Sequence, residues 1–320
     1  MSTSVRVVGF LAALAAVFGI TLAAGRAIGP VEALGGGSTP THDTHASPTP
    51  GRATPDPSGA PDGSADAAHQ PGGLQVSQDG YTLRLLHDDL PAGARTPLEL
   101  VVEGPDGRPV TAYTPQHEKE LHLIAVRRDF SGFQHVHPTR DADGTWGTEL
   151  ALTPGAWRVF ADMTPAGAEP LTLGADVSVA GAYAPAAPPA RDVRTATVDG
   201  YTVELAGDLT PGTDSEVTLS VSRGGAPVTD LQPYLGAYGH LVALRTGDLA
   251  YLHVHPEGEP GDGSTQPGPG ITFGTTVPSA GTYRLFLDFR HAGVVRTAAF
   301  TVTAGTPAAL PTGGSSDHTH

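Results

Sequence analysis

The 320-residue chain contains no cysteine. Disulfides, thiolate zinc sites, iron–sulfur clusters and blue-copper centres with a Cys ligand are therefore excluded. A lipoprotein anchor, which needs a cysteine after the apolar run, is excluded as well. Methionine is confined to Met1 and Met163, which leaves little soft ligation for Cu(I). Basic residues number 18 against 33 acidic ones, a formal charge of -15. Nucleic-acid binding needs Lys and Arg clustered on one face, so it is not expected, whereas an acidic surface attracts cations. Ser-His-Asp order, a phosphate-cradling glycine loop and paired catalytic carboxylates are all missing, and no enzymatic role is expected. A metal site in this chain has to be built from imidazole, carboxylate and backbone oxygen.

What is present begins with an apolar run, Val7 to Gly25, 19 uncharged residues between Arg6 and Arg26. As a helix it would be about 28 Å long, close to the ~30 Å of a bilayer's hydrocarbon. Residues 1–34 therefore read as a single-pass membrane anchor with the bulk of the chain extracytoplasmic. The alternative is a signal segment cleaved after Ala23-Ala24-Gly25, giving a secreted protein. Residues 35–73 are rich in Gly, Pro, Ser, Thr and Asp without apolar periodicity and read as a disordered stalk. Residues 306–320 form a similar tail with His318 and His320.

From Leu74 the texture changes to short alternating runs broken by Gly, Pro and Asp, the pattern of an all-β domain. The pattern occurs twice. DGYTLRLL at Asp79 returns as DGYTVELA at Asp199, and GAWRVFADM at Gly155 returns as GTYRLFLDF at Gly281. The fold class is all-β, with tandem immunoglobulin-like or cupredoxin-like β-sandwiches over residues 74–181 and 193–305, joined by a Pro/Ala-rich linker, 182–192. Trp157 and Tyr283 hold matching positions and are expected to pack between the sheets.

The strongest functional signal lies inside the repeat. LHLIAVRRDFSGFQHVHP, Leu121 to Pro138, corresponds to GHLVALRTGDLAYLHVHP, Gly239 to Pro256. The windows differ at 10 of 18 positions, yet His122, His135 and His137 coincide with His240, His253 and His255, and the proline is kept. Each window reads as a β-hairpin. Residues two apart on a strand share a face with Cα atoms roughly 6.5–7 Å apart, so His-x-His can present two imidazoles to one ion. A hairpin centred on Gly247-Asp248 makes His240 face His255. The same register in the first copy puts Asp129-Phe130 at the turn, chemically less natural than Ser131-Gly132. A slip of two keeps His122 near the pair, and a slip of one moves it to the other face. Three imidazoles without a thiolate suit Cu(II) first and Zn(II) second. Asp162 and Asp288, repeated as F-x-D downstream, are candidates for a fourth ligand or for accepting a hydrogen bond from a ligand histidine. His87, His117 and His291 have no counterpart in the other copy and read as structural or solvated, with His117 and His291 able to join their local clusters.

The run PVTDLQPYLGAYGHLVALRTGDLAYLHVHP, Pro227 to Pro256, resembles exported, membrane-anchored bacterial proteins with tandem modules similar to the CopC/YtkA-like, heavy-metal-associated β-sandwiches. The resemblance is close over the second copy and looser in the first, where HEKELH replaces GAYGH. It implies an immunoglobulin-like sandwich and copper handling. The chain departs from those modules by lacking a Met-rich Cu(I) motif and a mature N-terminal histidine.

The leading expectation is thus an extracytoplasmic metal-binding protein that captures, buffers or delivers Cu(II) or Zn(II) through two three-histidine sites. Its affinity should fall as protons compete below the ordinary His pKa of ~6.5. The expected partners are the metal ion, the membrane, and a membrane metal transporter or cuproenzyme as recipient. The alternatives are a structural or adhesive cell-surface sandwich without metal, and a copper oxidoreductase, since HVH also resembles the strand motif of copper-zinc superoxide dismutases.

Overall fold

The computed structural model describes residues 71–187, 189, 191–252 and 254–305. The expected anchor, nearly all of the stalk, the tail 306–320 and His253 lie outside the described residues. Among the described residues there is no helix, and none is long and apolar enough to cross a membrane.

Both repeats are sandwiches of antiparallel strands, except that Asp89–Leu90 pairs in parallel with the end of Leu171–Val179. In the first, one sheet runs in the order Ser77–Gln78, Tyr81–Leu85, Gly93–Glu103, Thr145–Leu152, Thr139–Arg140. The facing sheet runs Asp89–Leu90, Leu171–Val179, Gly155–Met163, Leu121–Arg127, Gln134–Val136. In the second, Thr195–Val198, Tyr201–Ala206, Asp214–Arg223, Gly270–Thr276 and His255–Pro256 face Tyr251–Leu252, Gly239–Arg245, Gly281–His291 and Val294–Ala304. The strand Asp214–Arg223 shows how alternation makes the layer: Val217, Leu219 and Val221 are buried, while Glu216 and Ser220 face solvent. Period-two patterning of this kind sends one set of side chains to the core and the other to water. Trp157 and Tyr283 sit opposite Arg127 and Arg245 in the same register and are almost fully buried. Each is tied four residues back, Trp157 Nε1 to the Thr153 carbonyl and the Tyr283 hydroxyl to the Ser279 carbonyl, both at 2.8 Å. A buried polar handle needs such a partner, and the matching bond keeps both rings in the core.

Leu121–Arg127 and Gly239–Arg245 break the alternation, because six successive residues in each are buried. Leu121, Leu123 and Ala125 enter the core of the first sandwich, and Leu241 and Ala243 that of the second. The intervening Ile124, Val126, Val242 and Leu244 join Phe160, Phe286, Leu249 and Tyr251 in a third apolar cluster, a seam where the two sandwiches pack face to face. Corresponding contacts recur across it. Phe133 stacks on Phe286 with centroids 4.0 Å apart, and Tyr251, which stands where Phe133 does, packs on Phe160 at 5.7 Å. The seam is therefore nearly isologous, as in a two-fold dimer, but within one chain. Truncating Ile124 to alanine in its centre should cost about 2–4 kcal/mol, as for other buried aliphatic deletions. Urea denaturation followed by tryptophan fluorescence measures it.

The folded region starts earlier than the composition indicates. Gly72 and Gly73, which read as stalk, are hydrogen-bonded into the seam: Tyr251 N donates to the Gly72 carbonyl at 2.9 Å, and Gly73 N to the Thr172 carbonyl at 2.8 Å. Glycine is required at position 73, with φ at +73° and the place of a Cβ lying 2.4 Å from the Phe160 ring.

Candidate metal centre

The first hairpin pairs Leu123 with Val136 and Ile124 with His135, which centres its turn on Asp129-Phe130 rather than on Ser131-Gly132. The turn is made tolerable by Asp129. Its carboxylate accepts from Ser131 N at 3.1 Å, from the Ser131 hydroxyl at 2.6 Å and from the Arg127 guanidinium at 2.9 Å, while Phe130 adopts a left-handed φ of 65°. Arg127 and these bonds hold the Asp129 carboxyl far below the ordinary carboxylate range against the opposing effect of burial. In this register His122, Ile124 and His135 share the seam face, and His137 follows His135 by two.

The three imidazoles converge. His122 Nδ1 lies 3.0 Å from His135 Nε2 and 3.2 Å from His137 Nε2, and one nitrogen from each ring falls within 4.8 Å of the others. The outward nitrogens fix the tautomers. His122 Nε2 donates to the Gln116 carbonyl at 2.9 Å, and His135 Nδ1 donates to Asp288 Oδ2 at 2.9 Å. Carbonyl and carboxylate oxygens only accept, so in the neutral rings His122 Nδ1 and His135 Nε2 both turn bare lone pairs toward each other. Burial opposes relief by protonation. It pushes His122 down to about 4, and burial together with the crowding of His135 and His122 pushes His137 to about 3.

Asp288 belongs to the second sandwich and is 153 residues from His135. It is buried, lies opposite His240 in register, and accepts a second hydrogen bond from the Thr297 hydroxyl at 2.5 Å. Asp162 lies opposite His122 in the equivalent place and accepts from the Thr172 hydroxyl at 3.0 Å and from the Tyr251 hydroxyl at 3.1 Å. Each aspartate thus serves a residue of the other repeat.

The second copy is arranged differently. Its hairpin has the register centred on Gly247-Asp248, pairing Ala243 with Leu252. Among the described residues, Tyr251 and Leu252 pair with the His240 strand, whereas His255 and Pro256 pair with the opposite sheet, where His255 lies exposed opposite Gly274. His253 is not among the described residues. His240 looks instead toward the first copy, with ring centroids 6.2 Å from His135 and 6.4 Å from His122. Its Nε2 donates to the Tyr234 carbonyl at 2.8 Å, and burial pushes its pKa to about 4. Among the described residues only His122, His135 and His137 form a group of three converging donors.

His117, read as structural or solvated but able to join its local cluster, has its ring 5.1 Å from His240 and 6.2 Å from His122. Two further residues were missed by sequence reasoning. Gln116 and Tyr234 supply the carbonyls that orient His122 and His240, each six residues upstream. Both begin tight turns whose next two residues have positive φ, His117 and Glu118 in one and Leu235 and Gly236 in the other. The equal spacing was a usable signal, but the turns share almost no side chains. A cavity of about 420 Å³ adjoins the cluster and is lined in part by His117, His122, His135, His240, Tyr251 and His255.

Comparison with known proteins gives a family and little more. No curated protein matches the chain. Solved structures with some likeness include FdeC, an adhesin of Escherichia coli, at 18% identity and a TM-score of 0.23, covering 72% of this chain and 65% of that one. They also include an α2-macroglobulin mutant of Salmonella at 14% and 0.25, covering 73% and 15%, and the adhesin InvE of Yersinia pseudotuberculosis at 13% and 0.21, covering 72% and 60%. The chain thus spans less than two thirds of each of these proteins, and TM-scores this low carry no functional information. One family model, described as a domain of unknown function, matches residues 75–181 and again 196–306. On that double match, the chain belongs to the DUF8832 family and carries its domain twice.

Proposed function

We propose that this protein binds one Cu(II) or Zn(II) ion at His122, His135 and His137, as an extracytoplasmic carrier or buffer of the metal. The observation that carries the reading is the pair of inward nitrogens, His122 Nδ1 and His135 Nε2, 3.0 Å apart, which in the neutral rings both present lone pairs. Two imidazoles on one tetrahedral ion at ~2.0–2.1 Å hold their donor nitrogens roughly 3.3 Å apart and their ring centroids roughly 5 Å apart. The contacts of 3.0 and 3.2 Å and the centroid spacings of 5.3, 4.9 and 4.9 Å fit that arrangement. Outward hydrogen bonds to Gln116 and Asp288 are what a ligand imidazole needs to be held in the correct tautomer. In this reading the sandwiches are immunoglobulin-like, the N-terminal apolar run is the membrane anchor, and the metal passes to a transporter or cuproenzyme. The likeness of Pro227 to Pro256 to heavy-metal-associated modules favours copper.

The test is isothermal titration of residues 71–305 with Cu(II) and then Zn(II) at pH 7.5. One saturable equivalent at sub-micromolar affinity is expected, and only weak, non-saturating uptake would sink the reading. A second reading, a structural or adhesive surface module, is favoured by the apolar seam, which joins the sandwiches through hydrophobic side chains. It requires stability indifferent to metal. Asp288→Asn, which keeps shape but weakens the acceptor for His135 Nδ1–H, is expected to lower metal affinity about 10–100-fold without changing stoichiometry.

A further inference from the structure

Arg158 and Arg284 stand in the same place in the two sandwiches, opposite Asp176 and Thr301 respectively. Arg158 has acceptors on all three of its nitrogens. Its Nη1 donates to Asp176 Oδ1 at 2.8 Å, its Nε and Nη2 to the Gly73 carbonyl at 3.0 and 2.6 Å, and Nη2 also to the Leu74 carbonyl at 3.0 Å. That approach depends on Gly174, where an added Cβ would lie 2.1 Å from the Gly73 oxygen. The second sandwich has changed every one of these conditions. Thr301 replaces the carboxylate, and Ala299 stands opposite Phe286 as Gly174 stands opposite Phe160. The incoming chain pairs at Val193 with Thr301 instead of crossing the arginine.

Arg284 is left short of acceptors. Its Nη1 donates to Thr301 Oγ1 at 2.8 Å, while its Nε is buried with no hydrogen-bond partner among the described residues. Burial lowers its pKa and no carboxylate opposes the shift. Beside it opens a cavity of about 440 Å³, lined by Asp129, Ser131, Ala186, Thr246, Thr282 and Thr301 among others. Asp129 is not the missing counter-ion, because its oxygens are taken by Arg127, Ser131 and the Ala186 N–H. A half-buried guanidinium whose Nε has neither partner nor counter-charge is costly, and its planar fork matches a carboxylate in two parallel hydrogen bonds. A dianion would be repelled by Asp129, whereas a single negative charge balances Arg284. We propose that this cavity binds a small carboxylate, held by the Arg284 guanidinium against the hydroxyl-lined wall.

Thermal unfolding of the full chain tests this, with acetate, N-acetylglycine and N-acetylglycinamide as probes at matched ionic strength in chloride. Acetate and N-acetylglycine are expected to raise the Tm with the logarithm of their concentration above Kd, by about 5–10 °C at a hundredfold excess over Kd, with no effect of the amide. N-acetylglycine binding more than tenfold tighter than acetate assigns the site to a chain terminus, and equal binding assigns it to a free small acid. Arg284→Met should abolish the response. Thr301→Asp, which restores the carboxylate that Arg158 enjoys, should abolish it while raising the Tm in chloride, and it keeps the test valid where Arg284→Met fails to fold. An unresponsive wild type, or a response that survives in both variants, overturns the proposal and leaves water as the partner of Nε.

Discussion

In a titration at pH 7.5, His122→Ala and His137→Ala are each expected to weaken Cu(II) and Zn(II) binding by two to three orders of magnitude. Structural zinc sites of four ligands are worth ~10–16 kcal/mol, so one ligand accounts for about 3–4 kcal/mol, or 10²–10³ in affinity. His122 should be at least as damaging as His137, since its Nδ1 is the atom that both other rings approach, at 3.0 and 3.2 Å. His255→Ala, on the opposite sheet, and the exposed His87→Ala should change little. His240→Ala separates a single seam site from two independent ones. With centroids 6.2 and 6.4 Å from His135 and His122, beyond the roughly 5 Å of ligands on one tetrahedral ion, its loss should leave the stoichiometry at one. Two independent sites would give two equivalents in the wild type and one in His240→Ala. Cu(II) electron paramagnetic resonance adds a check, since nitrogen coupling should disappear stepwise with His122 and His137. Unchanged affinity in both alanine variants would end the metal reading.

Much of this arrangement is legible in the amino-acid sequence. Alternation and repeated turns gave the sandwich strands, and the hairpin centred on Gly247-Asp248 was readable from turn chemistry. The first hairpin's register was not, because Asp129-Phe130 is a poor turn by composition and is rescued by a carboxylate that binds its own loop. The seam was half legible. LHLIAVR and HLVALR are apolar in both phases of a strand, a sign of burial on both faces, but nothing local says which surface provides the cover. Asp288 was readable as an acceptor for a ligand histidine, but the same ignorance hid that the histidine it serves, His135, belongs to the other repeat. His255 illustrates the converse limit: its spacing matches that of His137, yet its strand changes sheets, a choice made by pairing with Gly274 far along the chain. Local pattern places residues on faces, and packing between the repeats decides which faces meet.

That packing also makes the metal-free protein acid-sensitive within a defined window. His122 and His240 titrate at about 4 and His137 at about 3, chiefly because burial disfavours the charged ring. In the unfolded chain each returns to ~6.5. Between pH 6.5 and about 4 the unfolded state therefore binds protons that the folded state refuses, and stability falls as the pH falls. Above 6.5 the rings are neutral in both states and contribute no slope. Their neighbours do not reverse the sign. His117 and His135 crowd both His122 and His240, and Lys119 lies near His137, while Asp162 offsets only part of the effect at His122. Three groups give a ceiling of about 4 kcal/mol per pH unit, and with solvent screening and mutual repulsion shared among them, about 1–3 kcal/mol per unit is expected. Two units of acidification then remove a large part of the ~5–15 kcal/mol typical of a folded domain. The paired carboxylates, Asp129 and Asp176 among them, lose their contribution only at lower pH, so the windows separate. The check is the urea midpoint from pH 7 to pH 4.5 in the presence of a chelator, for the wild type and for His240→Phe. The phenylalanine keeps the ring and removes the proton site, so about a third of the slope should vanish. An identical slope in the two proteins would mean that these imidazoles are already hydrated and protonated in the folded state.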